Sequence, residues 1–367
     1  MTGNNGIIES RIADHDTIVL DIRGALNAAC EKDLWREFEK CIELSKNILL
    51  NLSELPHMDA EGAGLLVIYT VRAARKNLSV AAYGLTDPLR DVFRLTRLDE
   101  AIPLFEDETA ALCCRNFPKK SVLSVDTSYH YDGPLFPGWA RSIDSLSIRD
   151  IPAETMNINV NGRETTSPVQ GFGQLWDKKY RLYVNDDKIE PQQIVSIWRS
   201  EFPDFWPKGN RLFPSGRLSI EPGMMAVLNL ILPGGLVLAT GLMVIYADET
   251  SFSFITIQGH ILSGWITFSS FRENSTTIIQ VHPLFRAGDP LMELGFRFGA
   301  AQQEDQFWHE TLGNLARRLA VQGKIEQQDT LIDSRIQLSE YKNLWYNAAI
   351  RSSLSMPFYL LRKMFKP

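Results

Sequence analysis

Residues 1–367 predict an α/β domain, a small sheet with helices packed over it, followed by an α+β domain whose curved antiparallel sheet wraps a long C-terminal helix. Three observations lead there. Short β-branched or aliphatic runs alternate with helical periods up to about residue 115. The composition then changes through a proline-bearing stretch, 116–140, and seven of the eight tryptophans lie from Trp139 onward. Beyond it come a helix, a run of strands and a long amphipathic helix, in that order. The length is roughly twice the ~150 residues of a usual domain, enough for two separate cores.

The first strand is read at Thr17 to Ile22 and is followed by a helix through Leu34 and Phe38. The next strand, Asn47 to Leu52, carries Ile48, Leu49 and Leu50, apolar on both faces, as a strand covered by helices on each side should be. A helix follows Asp59. The helices of this domain are expected to end near Asn77 and Thr96, each leading into a short strand or turn.

These residues also resemble a family. LDIRGALNAA (Leu20 to Ala29), NILLNLSELPHMDAEGAGLL (Asn47 to Leu66) and YGLTDPLRDVFRLTRLDEAIPLFEDETAAL (Tyr83 to Leu112) are similar, in order, to the STAS domain of anti-sigma factor antagonists. The resemblance implies a four- or five-stranded sheet with helices and a non-catalytic role in docking on a partner, an anti-sigma factor or related kinase. In the family the loop after the third strand reads Asp-Ser-x-Gly, and its serine is the phosphorylation site. Here the loop reads Asp59-Ala60-Glu61-Gly62, with Gly64 one turn in, and Ala60 has no hydroxyl to modify.

These five residues are the expected partner surface, each with a plainer role beside it. Asp59 suits a helix N-cap. Glu61 brings a carboxylate to the positive end of the helix dipole, as a simple favourable charge or as an imitation of a phosphorylated surface. Gly62 and Gly64 allow either close packing on the sheet or an exposed backbone. His15 and His57 stand without a paired nucleophile.

A linker is read from 116 to 140, through Pro118, Pro134, Pro137 and Tyr129-His130-Tyr131-Asp132-Gly133, ending near Trp139. The second domain, 141–323, opens with a strand at Gly173 to Val184 and a helix at Pro191 to Phe202 whose Ile194, Ile197 and Trp198 share a face. Strands follow between Leu212 and Phe285. Within them Met224 to Ala247 is long enough to be weighed as a membrane span, but Asn229, Pro233-Gly234-Gly235 and Gly241 interrupt it, and a buried hairpin is the preferred reading. The closing helix runs from about Glu304 to Val321, with Phe307, Trp308, Leu312, Leu315 and Leu319 at helical spacing.

This element order, with VHPLFRAGDPLMELGF (Val281 to Phe296), resembles a bacterial branch of the START and Bet v 1-like (SRPBCC) helix-grip superfamily. The resemblance implies an apolar small molecule or lipid held between sheet and helix. Trp198, Trp206, Phe254, His260, Trp265 and Trp308 are the candidate lining, in an aromatic set that also holds Phe202, Phe205, Phe252 and Phe268. Core filling is the plainer reading of any one ring. Arg286 and Asp289 are expected to flank a turn as a salt bridge, with Glu293 and His309 as further polar candidates and His260 on a strand. A cyclase- or hydratase-type enzyme working through His260 and a nearby acid is the competing reading.

The tail, 324–367, is expected to continue as a polar helix to about Lys342. After Glu340 it has no acidic residue, while Lys342, Arg351, Arg362, Lys363 and Lys366 are interleaved with Trp345, Phe358, Tyr359, Leu360 and Leu361. Packing on the protein's own surface or a dimer contact is the preferred reading, and an amphipathic contact with an anionic membrane, in a membrane-bound assembly protein, is the other. A net charge of −6 argues against a general nucleic-acid binder. Cys30, Cys41, Cys113 and Cys114 have no metal-ligand spacing, so neither a metal nor a cofactor is expected. The N-terminus lacks a signal-peptide pattern, and the expected location is the cytoplasm, or peripherally its membrane face.

Overall fold

The computed structural model describes residues 6–114, 117, 131–149, 151–152, 155–185, 189–231 and 237–364, with side chains to residue 357. It divides into two compact units, Met1–Ser142 and Ile143–Pro367.

In the first unit the elements run β1 (Ile7–Ile12), β2 (Thr17–Leu26), α1 (Glu31–Glu43), β3 (Asn47–Met58), α2 (Ala60–Arg75), β4 (Val80–Tyr83), α3 (Asp87–Leu95), β5 (Leu104–Phe105) and α4 (Glu108–Leu112). The sheet order is β1-β2-β3-β4-β5, parallel except for the antiparallel β1–β2 edge. Ile48, Leu49 and Leu50 are fully buried. That is the burial expected of a parallel strand covered on both faces. On α1, Leu34, Phe38 and Cys41 line the buried face at helical spacing. Past the end of α2, Asn77 takes a left-handed conformation, which asparagine tolerates well. The β1 strand is absent from the sequence expectation because only Ile8 on it is buried.

The stretch read as a linker behaves differently at its end. Arg115, Pro118, Tyr129 and His130 lie outside the described residues, but Phe136, Trp139 and Ala140 are buried within the first unit. The Trp139 indole Nε1 donates to the Met58 carbonyl at 2.6 Å. Ser142 closes the segment on α3, its backbone N donating to the Asp91 carboxylate at 3.0 Å and its hydroxyl to the same group. Trp139 therefore packs into the first core rather than ending a linker.

The second unit continues β6 (Thr165–Thr166), β7 (Leu175–Val184), α5 (Pro191–Ser200), β8 (Arg211–Pro214), β9 (Met225–Ile231), β10 (Val237–Ala247), β11 (Ser251–Ile257), β12 (Leu262–Glu273), β13 (Thr276–Ala287), α6 (Pro290–Gly295), α7 (Ala301–Leu319), β14 (Gly323–Asp333) and α8 (Ala348–Met364). The large antiparallel sheet is ordered β14-β7-β13-β12-β11-β10-β9-β8, with β6 paired to β11. Strand alternation sends Tyr180, Leu228, Val244, Phe254, Phe268 and Ile279 to one face, where they pack with Trp198 of α5 and Leu312 and Leu315 of α7. The other face packs Val227 and Ile257 against Leu146, Ile148 and Val160.

The apolar stretch 224–247 forms the antiparallel β9–β10 pair; its Pro233-Gly234-Gly235 turn lies outside the described residues. No helix among the described residues is long and apolar enough to cross a membrane. After Gly323 the structure corrects the expected polar helix: β14 is an edge strand paired with β7 from Gly323↔Val184 to Asp333↔Leu175. Its sequence, GKIEQQDTLID, has the Lys, Glu and Gln of a helix surface, but the backbone of β7 supplies the pairing. Charged residues on such an edge also discourage further strand addition. A 3-10 helix at Leu338–Tyr346 and then α8 follow.

Candidate functional site

Two places assemble the residues singled out by the sequence, one in each unit. In the first, β3 runs straight into α2 through Asp59. Its backbone is extended and its carboxylate accepts the Gly62 N–H at 2.8 Å, so Asp59 is the N-cap. Ala60, Gly62 and Gly64 are buried, which removes their side-chain positions from direct recognition, while Asp59 and Glu61 remain partly exposed. Gly62 is demanded by close approach: a Cβ there would stand 2.2 Å from the Leu26 carbonyl oxygen at the end of β2. Asp59 and Glu61 are therefore the members of this loop whose side chains reach the surface, at the positive end of the helix dipole. The Trp139 indole bonds to Met58 one residue before that cap.

In the second unit, four of the six candidate lining residues come together between the sheet and α7. Trp198 meets Phe252 and Phe268 edge-on, with ring centroids at 5.9 and 5.2 Å. Phe254 lies 5.8 Å from Phe268, Trp308 5.7 Å from Phe268, and Trp206 5.4 Å from Phe202 and 5.6 Å from Phe307. Such edge-to-face pairs suit the ring quadrupoles. The indole nitrogens of Trp198 and Trp206 are both buried and have no hydrogen-bond partner among the described residues.

Trp265 and His260 do not join this layer. Trp265 is three residues before Phe268 on an unbroken β12, which turns it to the opposite face. His260 occupies the β11–β12 turn rather than a strand; its Nδ1 accepts the Leu262 N–H at 3.0 Å, and among the described residues no carboxylate pairs with it. Burial lowers its pKa to about 4, so the ring is neutral at physiological pH. Because the unfolded ring titrates near 6.5, the unfolded state takes up the proton first. Stability should thus fall as pH drops from about 6.5 to 4, by about 3 kcal/mol in all. Denaturant melts of a His260→Gln variant across that range are expected to lose this slope.

Sequence reading missed the polar end of the aromatic layer. Lys178 on β7 is buried and donates to Glu304 at 2.7 Å and Asp305 at 2.6 Å on α7. Tyr180 donates to Asp305 at 2.6 Å, and the Trp308 indole to Glu304 at 2.9 Å. Burial opposes the Lys178 charge, but the two carboxylates outweigh it and hold the ammonium above its ordinary pKa. Burial pushes the Glu304 carboxyl up against the pull of Lys178. The only available signal was the alternation of Lys178 and Tyr180 with the apolar Leu182 and Val184 on one strand face.

Arg286 and Asp289 do not pair with each other, correcting that expectation. Arg286 donates to the Asp333 carboxylate at 3.0 Å and to the Gly173 and Arg335 carbonyls, tying β13 to the end of β14. Asp289 caps α6 by accepting from Leu291 N at 2.8 Å, and also accepts from Asn347. Glu293 pairs with Arg297 at 3.0 Å, and His309 bonds with Gln327. Among the described residues no His, Cys, Asp and Glu cluster suits a metal ion.

Residues 9–111 match the STAS domain family. Among solved structures the chain is similar to the anti-sigma factor antagonist SpoIIAA in its unphosphorylated form, at 15% identity over 29% of this chain and 94% of that one, with a TM-score of 0.25. It is similar to the phosphorylated Bacillus SpoIIAA at 18% identity, 30% and 100% coverage and a TM-score of 0.26. It is also similar to the di-domain ARO/CYC StfQ of the steffimycin biosynthetic pathway, at 10% identity, 40% and 53% coverage and a TM-score of 0.31. No curated protein matches the chain.

Proposed function

We propose, from the STAS domain at residues 9–111, that this chain is a non-enzymatic cytoplasmic regulator that docks on a protein partner of the anti-sigma factor or related kinase class. The observation that carries the reading is the family match, which runs from β1 to α4 and so includes the capped start of α2. With Ala60 at the position of the family's serine, phosphorylation there does not switch the contact. Glu61 supplies a fixed negative charge beside the cap, and the partner meets a surface of constant charge.

The second unit we read as a helix-grip domain that binds an apolar small molecule or lipid. The sheet order and α7 across one face support that fold. The ligand reading is supported by Trp198 and Trp206, because each buried indole N–H left without an acceptor costs about 1–3 kcal/mol. A largely apolar molecule with one or two carbonyl or hydroxyl oxygens would satisfy them. We prefer binding to cyclase or hydratase chemistry because His260 bonds to backbone and lies outside the aromatic layer.

Charge reversal at the cap tests the docking reading. Capture of the partner from lysate of the protein's own cells by the immobilised full chain should fall at least tenfold with Glu61→Lys. It should be unchanged with Glu39→Lys, an exposed position on α1. Equal capture by both variants would remove α2 from the docking surface.

A further inference from the structure

The exposed large apolar side chains of this protein are concentrated near its C-terminal end. Leu291 and Leu294 on α6, Phe298 just after it, and Leu338, Tyr341 and Trp345 on the 3-10 helix that packs against α6 are all exposed. Phe298 is 82% and Trp345 80% accessible, values foreign to a finished surface for rings of that size. Phe298 is turned out by a break in the helix: it and Gly299 leave helical geometry, and Gly299 takes φ +109°.

The sequence turns basic within the 338–346 helix. The sequence from 341 to 367 contains five basic residues and no acidic one, a net +5, so the remainder of a chain of net −6 carries −11. Lys342 is exposed between Tyr341 and Trp345. Trp and Tyr beside Lys and aliphatic residues is the chemistry of the membrane–water interface, where rings sit at headgroup level and cations meet anionic lipid. A symmetric pair of copies would instead oppose two basic tails, since a two-fold contact sets the same patch against itself.

We propose that the face formed by α6, the residues around Phe298 and the 338–346 helix, followed in the sequence by a basic tail, docks on an anionic lipid bilayer. The first turns of α8 are fixed to the second unit: Ser352 accepts the Ala239 N–H of β10 at 3.0 Å and receives the amide of Asn159, in the segment before β6, at 3.2 Å. The contact is peripheral, with rings inserted at the headgroup level and the cations of the tail meeting anionic lipid. It depends on neither the partner nor the ligand reading, so its failure leaves both standing.

Co-sedimentation of the full chain with vesicles is the test, using equal phosphatidylglycerol and phosphatidylcholine against phosphatidylcholine alone. Binding to the anionic vesicles is expected, weakening as salt rises from 0.1 to 0.5 M through screening. Each basic residue near the surface is worth roughly fivefold in affinity, so little binding to the neutral vesicles is expected. Phe298→Ser with Trp345→Ser, two exposed changes whose folding is checked by circular dichroism, should reduce binding at least tenfold. No sedimentation with anionic vesicles would overturn the proposal, as would equal binding to both vesicle types. Sedimentation velocity showing a dimer that these two substitutions dissociate would overturn it in favour of a second copy.

Discussion

Trp139→Ala is expected to destabilise the first unit by about 3–5 kcal/mol, the usual cost of emptying a buried aromatic site. Trp139 is almost wholly inaccessible, and its indole satisfies the Met58 carbonyl at the last residue of β3. The variant both opens a cavity and leaves that carbonyl without its side-chain donor. Trp139→Phe keeps most of the ring volume and should lose far less, about the 1–3 kcal/mol of the orphaned acceptor and a smaller void. Calorimetry of the full chain should show one transition move with Trp139→Ala while the other stays in place. If neither moves, the segment after residue 131 does not belong to the first core.

The second large effect is expected at Lys178. Lys178→Met leaves the carboxylates of Glu304 and Asp305 facing a buried thioether, and removing one member of a buried ion cluster typically costs about 3–5 kcal/mol. The pH dependence identifies the cause. In the variant Glu304 loses the cation that opposed its burial, so its folded pKa rises further above the unfolded value. A carboxyl raised in the folded state stabilises at low pH and loses that contribution as pH rises through its folded pKa. The deficit of Lys178→Met should therefore be largest near neutrality and shrink on acidification, and Glu304→Gln in the same chain should recover part of it. A deficit independent of pH would assign the loss to packing instead.

The difference between what the sequence discloses and what it hides follows from the kind of force involved. Ile48-Leu49-Leu50 and the Leu312, Leu315, Leu319 stripe are local hydrophobic patterns, so β3 and α7 are legible without a structure. The cap at Asp59 is legible because it is made within three residues. By contrast β14 forms from polar residues that pair with β7 more than 130 positions away, and Lys178 meets Glu304 126 positions on. Nothing local marks either. Residue type alone puts His260 and Trp265 in the lining, whereas a turn and the two-residue period of β12 set them elsewhere.

The most direct test is native mass spectrometry of the full chain purified gently from its own cells, read for partner and ligand together. The expected result is a complex with one other protein that Glu61→Lys dissociates, each chain carrying about one apolar molecule with an oxygen acceptor. A folded chain that emerges bare, with no second protein and no added small-molecule mass, would contradict both the docking and the binding role.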